Sequence, residues 1–381
     1  MVELPALAGL LAAMLGMAGV ATSLLAARAM RRFAAQVPAA GPALAASILK
    51  PLHGVAPALD RTLRATRTQD HAAPFELLCI VRNSADPAVP VARAALADGP
   101  GAVVQDAALH GPNRKASQLE NLARRARHPV LVAVDDDICV PPYWLTAVTA
   151  PLADPSVGLV TCLYRGEPAD GRLWSRLGAL GVDWHFLPNA VLGEAMGRAY
   201  GCYGATMALR SETLARIGGF AALAGLLADD HALGAAVRRL GLKVVLAPVI
   251  PAHMTAEPSL RALLAHELRW ARTVRMLDLR GYAGMVLTHP LPFALVAAAL
   301  LPWGWALAAA ALAARLVLAA TVDRILGHRL SAGRLALLPL RDAISFAIWM
   351  AGLARGTVVW QGRRYRMRPD GTMVDAVSGG G

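Results

Sequence analysis

The sequence predicts an α/β domain with a mostly parallel sheet, held between N-terminal and C-terminal transmembrane helices. Three observations carry that prediction. The chain is 56% hydrophobic with mean hydropathy +0.45, more apolar than an ordinary soluble globular protein. Two long blocks, Leu4 to Ala27 and Tyr282 to Ala314, contain no Asp, Glu, Lys or Arg. Between about 43 and 250, short apolar runs alternate with amphipathic helical patterns, the arrangement of a parallel sheet covered on both faces.

The 381 residues suffice for one large domain or two ordinary ones. Lys and Arg number 38 against 26 Asp and Glu, a net charge of +12. Apolar and basic together describe a membrane protein with a cation-rich cytoplasmic side. The arginines are scattered, with no zinc-finger spacing or RNP-like aromatic run, so the charge does not point to nucleic acid. Cys79, Cys139, Cys162 and Cys202 lie far apart without a CxxC pair. They read as small buried residues in a reducing compartment, not as a disulfide frame or zinc site.

Residues 1–32 read as a transmembrane anchor, because Leu4 to Ala27 is long enough to span a bilayer. Glu3 precedes it and Arg28, Arg31 and Arg32 follow. The positive-inside rule then puts the N-terminus outside and the next domain in the cytoplasm. A cleaved signal peptide would carry a basic n-region that this segment lacks.

Residues 43–280 form the α/β domain. ASILKPL, FELLCIV, GAVVQD, VLVAV, VGLVTCLY and LKVVLAPV read as strands, and ALDRTLRATR and KASQLENLARRAR as helices. In the latter, Leu119, Leu122, Ala123 and Ala126 share one face. Such sheets bind ligands beyond the C-terminal ends of their strands. There VLVAV runs straight into Asp135, Asp136 and Asp137. Three clustered carboxylates repel unless a cation joins them, and oxygen ligands suit Mg²⁺ or Mn²⁺. The alternative is a solvated acidic turn before Pro141-Pro142. Asp86 follows FELLCIV, where an Asp-Pro turn is also expected. Lys115 opens a helix, and a cation beside helix N-terminal amides can hold a diphosphate. Gly201-Cys202-Tyr203-Gly204-Ala205 supplies small residues for close backbone approach to a ligand or a neighbouring strand. Asp229 and Asp230 start a helix, where caps are also placed. HELRWART, His266 to Thr273, sets Arg269, Trp270 and Arg272 on a helix just before the membrane segments. A basic juxtamembrane face would also meet anionic lipid there.

Residues 283–355 read as C-terminal membrane helices. One helix from Tyr282 to Ala314 would be roughly 50 Å long, too much for a ~30 Å hydrocarbon core. The break at Leu301-Pro302-Trp303-Gly304 predicts a hairpin of helices 285–301 and 304–321. A third segment, Ala336 to Ala354, contains Arg341 and Asp342. Adjacent residues on a helix point apart and do not pair with each other. The segment either spans with buried polar partners or lies at the surface. A full span would place the GRRYRMR of the basic tail, residues 356–381, outside, against the charge rule.

The ordered set KPLHG, NSADP, NRKAS, DDDI, GCYGATMALR, ADD and HELRW resembles the inverting, membrane-bound family 2/21 glycosyltransferases. These have the GT-A fold, a Rossmann-like, mostly parallel sheet. Within them it is most similar to the ceramide glucosyltransferase group and its bacterial hopanoid-biosynthesis relatives. The resemblance covers about residues 45–280, and the flanking membrane segments fit it. It implies a multi-pass protein of the bacterial inner membrane, with a cytoplasmic catalytic domain. The implied reaction is Mg²⁺- or Mn²⁺-dependent transfer from a UDP-sugar to a lipid hydroxyl. Asp86 then matches the residue that binds the nucleotide base, and Lys115 one near the diphosphate. Asp135 and Asp137 match the D-x-D pair, with Asp137 as direct metal ligand. Asp230 matches the catalytic base, and Asp229 stands where Glu is often found. Arg269 and Trp270 match the end of a (Q/R)xxRW motif. His266 departs from that motif's first position, which leaves its role open and weakens a match to processive polysaccharide synthases.

The chemistry is coherent. Positive charge must stabilise the diphosphate as the glycosidic bond breaks, and a carboxylate must take the acceptor's proton. A single base opposite the leaving group implies inversion by direct displacement. Paired carboxylates also describe glycoside hydrolases, which need no diphosphate clamp. The segment Trp184 to Gly197 reads as an interfacial helix along the lipid's path, or as a core helix. The favoured acceptor is a bacteriohopanetetrol-like hopanoid receiving N-acetylglucosamine. Ceramide receiving glucose is the alternative, and a non-catalytic membrane scaffold is the third reading.

Overall fold

A computed structural model describes residues 4–38, 41–97, 99–198, 202–354, 358–360, 363–367 and 372–375. Ten strands serve the α/β domain: β1 (Ala46–Pro51), β2 (Phe75–Val81), β3 (Gly101–Gln105), β4 (Val130–Val134), β5 (Ile138–Cys139), β6 (Val157–Thr161), β7 (Arg165–Pro168), β8 (Thr206–Arg210), β9 (Lys243–Leu246) and β10 (Ala252–Thr255). Seven of them form the central sheet in the order β3-β2-β1-β4-β8-β6-β9. All neighbours run parallel except β8, which is antiparallel to both β4 and β6. A small second sheet, β5-β10-β7, lies beyond it. The predicted mixed α/β architecture with a mostly parallel sheet is therefore observed. The strand β8 was not foreseen. Its sequence TMALR has little β-propensity, and pairing with its neighbours places it.

The helices are α1 (Leu4–Ala34), α2 (Leu59–Arg67), α3 (Ala88–Leu96), α4 (Arg114–Ala123), α5 (Trp144–Thr149), α6 (Leu173–Gly181), α7 (Leu187–Ala195) and α8 (Ser211–Arg216). They continue as α9 (Asp229–Arg239), α10 (Leu260–Leu277), α11 (Leu279–Gly284), α12 (Pro290–Leu300), α13 (Gly304–Ile325), α14 (Ala332–Leu335) and α15 (Leu338–Leu353). Because side chains alternate along a strand, each central strand feeds two cores. Ile48, Cys79, Val132 and Val134 pack on one face. Leu49, Leu78, Ile80, Leu131 and Ala133 pack on the other. Both faces are buried, which is why these strands read as unbroken apolar runs.

Three helical stretches are long and apolar enough to cross a membrane: Leu4–Ala34, Gly304–Ile325 and Ala332–Leu353. Helix α1 packs against α12 and α13 through small residues. A Cβ on Gly19 would sit 2.9 Å from Pro290, so only glycine admits this close approach.

Two helix bounds differ from expectation. The helix expected over 285–301 is broken into a 3₁₀ turn, Met285–Thr288, and α12. The segments Leu279–Thr288 and Pro290–Leu300 meet at a 58° bend. Pro290 lacks an N–H and bars helical geometry at His289, whose φ and ψ are −119° and 66°. Helix α13 runs to Ile325 rather than 321 and carries Arg315 and Asp323 into buried positions. Of the two readings of the segment from Trp184, its start packs as core. A π-helical turn, Val182–Phe186, precedes α7. Trp184, Leu187 and Val191 pack with Met30, Phe33, Leu318 and Val322. The Trp184 indole donates to Asp323 at 3.0 Å. The basic tail contains β11 (Val358–Trp360), β12 (Arg363–Met367) and β13 (Met373–Asp375), an antiparallel meander. Thr372 pairs with Leu226 of the α/β domain. Glu3, Gly201, Gly362 and Arg368 lie outside the described residues.

Arg341 and Asp342 point apart, and each has a buried partner. Arg341 grips Glu267 of α10 through two bonds of 2.8 and 2.7 Å. Asp342 accepts two bonds from Arg315, both 2.8 Å, and pairs with His185 at 2.7 Å. Removing Arg315 leaves the buried Asp342 charge with only His185 beside it. Arg315→Leu should cost about 3–5 kcal/mol, read as a lower unfolding midpoint in detergent. The double variant Arg315→Leu/Asp342→Leu should recover part of it, since His185 then loses both partners. Equal midpoints for wild type and Arg315→Leu would show that the pair contributes nothing.

Candidate functional site

Strand β4 is buried at all five positions, and its end delivers Asp135 to Asp137 beyond the sheet. The backbone there is fixed by neighbours. Lys50, at the end of β1 and fully buried, donates to the Asp135 carbonyl at 2.7 Å. The Thr62 hydroxyl donates to the Asp136 carbonyl at 2.7 Å. Burial pulls the pKa of Lys50 down, against the attraction of the aspartates.

The three carboxylates differ. Asp135 is paired with Lys115, which α4 presents from its first turn. Asn113 caps that helix by accepting from the Ala116 N–H, while its amide donates to the Leu226 carbonyl at 2.8 Å. Burial would lower the Lys115 pKa, but Asp135, Asp229 and Asp230 together hold its ammonium above the ordinary range. Asp136 does not line the cavity described below. Burial and the other two aspartates push its carboxyl up to about 7. Asp137 lies 3.2 Å from the Nε2 of His253, on β10. Burial pushes the Asp137 carboxyl up, yet the His253 imidazole outweighs that and holds it below the usual range.

Asp229 and Asp230 open α9, and burial raises the pKa of both. The Asp230 carboxylate accepts from the Gly204 N–H at 3.0 Å and from the His231 N–H at 2.7 Å. A Cβ on Gly204 would sit 3.0 Å from the Asp230 oxygen, so glycine is what lets the backbone reach the carboxylate. On α10, His266, Arg269, Trp270 and Thr273 share a face, as i, i+3, i+4 and i+7 positions do. His266 Nδ1 pairs with Glu257 at 2.7 Å, and its ring stands edge-on to Trp270 at 4.3 Å between centroids. His266 thus props the tryptophan.

Lys115, Asp135, Asp137, Asp229, Asp230, His253, Arg269 and Trp270 surround one cavity of about 290 Å³. Asp86 is not in its wall. At the end of β2, the Asp86 carboxylate accepts from the Gly54 N–H at 3.0 Å and the Ala88 N–H at 2.9 Å, clamping the KPLHG turn. Two contributors had no assigned role in the sequence reading. Lys50 lay within KPLHG, a partial signal; His253, in PVIPAHMT, gave none.

The cavity suits a divalent cation in part. Asp135 and Asp137 offer carboxylate oxygens, the ligands that suit Mg²⁺ or Mn²⁺. Among the described residues no group of three or more His, Cys, Asp or Glu side chains could hold a metal by itself. A cation here would complete its shell from water or substrate phosphates, as Mg²⁺ commonly does.

Among solved structures, a mannosyltransferase from Pyrobaculum calidifontis in complex with GDP-Man and Mn²⁺ is similar at 22% identity, over 91% of this chain and 97% of that one, with TM-score 0.49. Glucosyl-3-phosphoglycerate synthase from Mycobacterium tuberculosis, with Mg²⁺ and UDP, is 16% identical over 61% and 78%, with TM-score 0.37. GalNAc-T7 with UDP, GalNAc and Mn²⁺ is 14% identical over 62% and 51%, with TM-score 0.37. No curated protein matches the sequence. Glycosyl transferase family 21 matches residues 10–373, nearly the whole chain. The chain therefore belongs to glycosyl transferase family 21 and is a glycosyltransferase.

Proposed function

We propose that the cavity carries out inverting, metal-assisted transfer of a sugar from a UDP-sugar to a lipid hydroxyl. One observation carries this reading: Asp135 and Asp137, the cations Lys115 and Arg269, and the Asp230 carboxylate all face one space. Lys115 and Arg269 supply positive charge where a diphosphate leaves. Asp137, assisted by Asp135, would hold a divalent cation, which when bound neutralises further phosphate charge. Asp230 takes the proton from the acceptor oxygen as that oxygen attacks the sugar. Its raised pKa brings the base closer to working pH. Asp86, outside this cavity, is assigned to the nucleotide base by its place in the NSADP motif.

Helix α1 and the α12–α13 hairpin are assigned to the membrane, with the α/β domain on the cytoplasmic side. Helix α15 packs along α10 through Arg341 and Glu267, and the tail returns to Leu226. On this reading α15 lies at the membrane surface, and the basic tail stays on the cytoplasmic side with the arginines after α1.

The favoured acceptor is a hopanoid polyol receiving N-acetylglucosamine, because the HELRWART-to-HPLP stretch and TVVWQGRRYRMR resemble that branch. Ceramide receiving glucose is the second reading, favoured by membership of family 21. The deciding experiment supplies the full-length protein in nanodiscs with UDP-N-acetylglucosamine or UDP-glucose and each lipid, with products read by mass spectrometry. A scaffold would consume no donor under any of these conditions.

Arg269 and Trp270 should separate kinetically. Arg269→Lys keeps the charge but loses the planar fork that grips two phosphate oxygens, so kcat should fall roughly tenfold even at saturating lipid. Trp270→Ala should mainly raise the KM for lipid. Unchanged constants per folded molecule in both variants would leave these residues as helix anchors only.

A further inference from the structure

We propose that a second cavity, on the membrane side of Trp270, seats the acceptor lipid, and that His289 recognises a second hydroxyl of the lipid, set back from the one that reaches Asp230. This rests on the transfer reading above. The cavity measures about 430 Å³ and lies between α10, the turn before α12, and α15. Its wall is largely apolar, with Phe186, Val274, Met285, Ile348 and Trp349 contributing. Tyr282 and Trp349 close one side through reciprocal bonds of 2.9 Å between each side chain and the other's carbonyl.

The polar groups in this wall are not equivalent. Glu267 and Arg341 satisfy each other. His185 is engaged by Asp342 at 2.7 Å and by Arg315 at 3.0 Å. His289 is only 5% exposed, and neither of its ring nitrogens has a hydrogen-bond partner among the described residues. Its ring is held by contacts with His185, Phe346 and Trp349 at 5.6–5.8 Å between centroids. A buried imidazole with no partner is costly unless something fills the role. It lines this cavity, with both nitrogens closed off from solvent, and a turn of the ring would present one of them to a ligand hydroxyl, which can give to it or take from it.

The occupant follows from continuity. A third cavity, with Asp230, Gly204 and Tyr203 in its wall, shares Phe186, Arg198, Trp270 and Val274 with the apolar one. A lipid whose chain lies against the membrane helices and whose polar end passes Trp270 therefore reaches Asp230. The volume fits only the part of a lipid next to its headgroup, so the remaining chain lies among the membrane segments. Ceramide and a hopanoid polyol share the required chemistry, a terminal hydroxyl with a second hydroxyl a few bonds behind it on a large apolar body.

The test uses the full-length protein in nanodiscs with each of the two lipids as acceptor, and with photoreactive analogues of both for crosslinking. His289→Leu should raise the acceptor KM by roughly tenfold or more, because the site loses its hydrogen bond to the lipid's second hydroxyl. The UDP-sugar KM should stay within about twofold. His289→Gln should recover most of the loss. Crosslinks in the wild type should fall within residues 267–289 and 341–349. An unchanged acceptor KM in His289→Leu, or crosslinks mapping elsewhere, overturns the proposal. If His289→Leu fails to fold, the wild-type crosslinks decide it by the same criterion. If the wild type glycosylates neither lipid, the transfer reading has failed. The cavity is then judged by crosslinking alone: labelling equal for hydroxylated and deoxy probes overturns it, and hydroxyl-dependent labelling supports it.

Discussion

Asp230→Asn should lower kcat by about 10²–10⁴, the range for loss of a general base, while UDP-sugar binding is kept. The substitution preserves size, and the amide oxygen can still accept from one of the two N–H groups that now hold the carboxylate, Gly204 or His231. What disappears is the proton acceptor. The pH profile gives a second readout. Burial raises the Asp230 pKa above the ordinary carboxylate value of about 4, and only the ionised form can take a proton. Activity should therefore be present above that raised pKa and fall away as pH drops through it, with an acid limb displaced upward from an exposed aspartate's. Calorimetry with UDP-sugar separates the alternatives. A collapse in donor affinity would make Asp230 a donor-binding residue, and the base would have to be sought elsewhere.

The parts of this site that were legible in the sequence are those whose chemistry is local. An apolar run ending in three aspartates fixes a buried strand with acid at its tip. NRKAS and ADD mark helix starts, and α4 and α9 begin there at Arg114 and Asp229. His266, Arg269 and Trp270 share a helical face by spacing alone. The partners were not legible, because sheet pairing and helix packing bring them from far along the chain. Lys50 reaches the Asp135 loop because β1 lies beside β4. His253 reaches Asp137 because β10 pairs with β5. Arg315, Asp342 and His185 come from three separate segments and meet inside the protein. Likewise, the opposed directions of Arg341 and Asp342 follow from helical geometry, but their partners do not. The bend before α12 had a visible cause in Pro290, which the apolar character of the block outweighed in the reading.

Asp137→Asn should lower transfer by at least ~10²–10³, the scale for losing a group that organises charge at the leaving group, and should leave the protein folded. Asp137 is the carboxylate to choose because Asp135 already answers to Lys115. Asp137 faces His253, whose imidazole keeps it ionised against the effect of burial, and an ionised carboxylate is what a hard divalent cation requires. Asparagine is a better probe than alanine. Alanine would leave His253 without a partner on Nε2 as well as on Nδ1, which already has none, at a cost of about 1–3 kcal/mol. Asparagine keeps a hydrogen bond to the ring and removes only the charge. The wild type should lose transfer in EDTA and regain it with Mg²⁺ or Mn²⁺; the variant should stay inactive with either. Mn²⁺ binding in the presence of UDP, followed by electron paramagnetic resonance, gives a readout independent of turnover and should weaken in the variant. Full transfer by Asp137→Asn in EDTA would remove the metal from this site and leave Lys115 and Arg269 as the charges that stabilise the departing diphosphate.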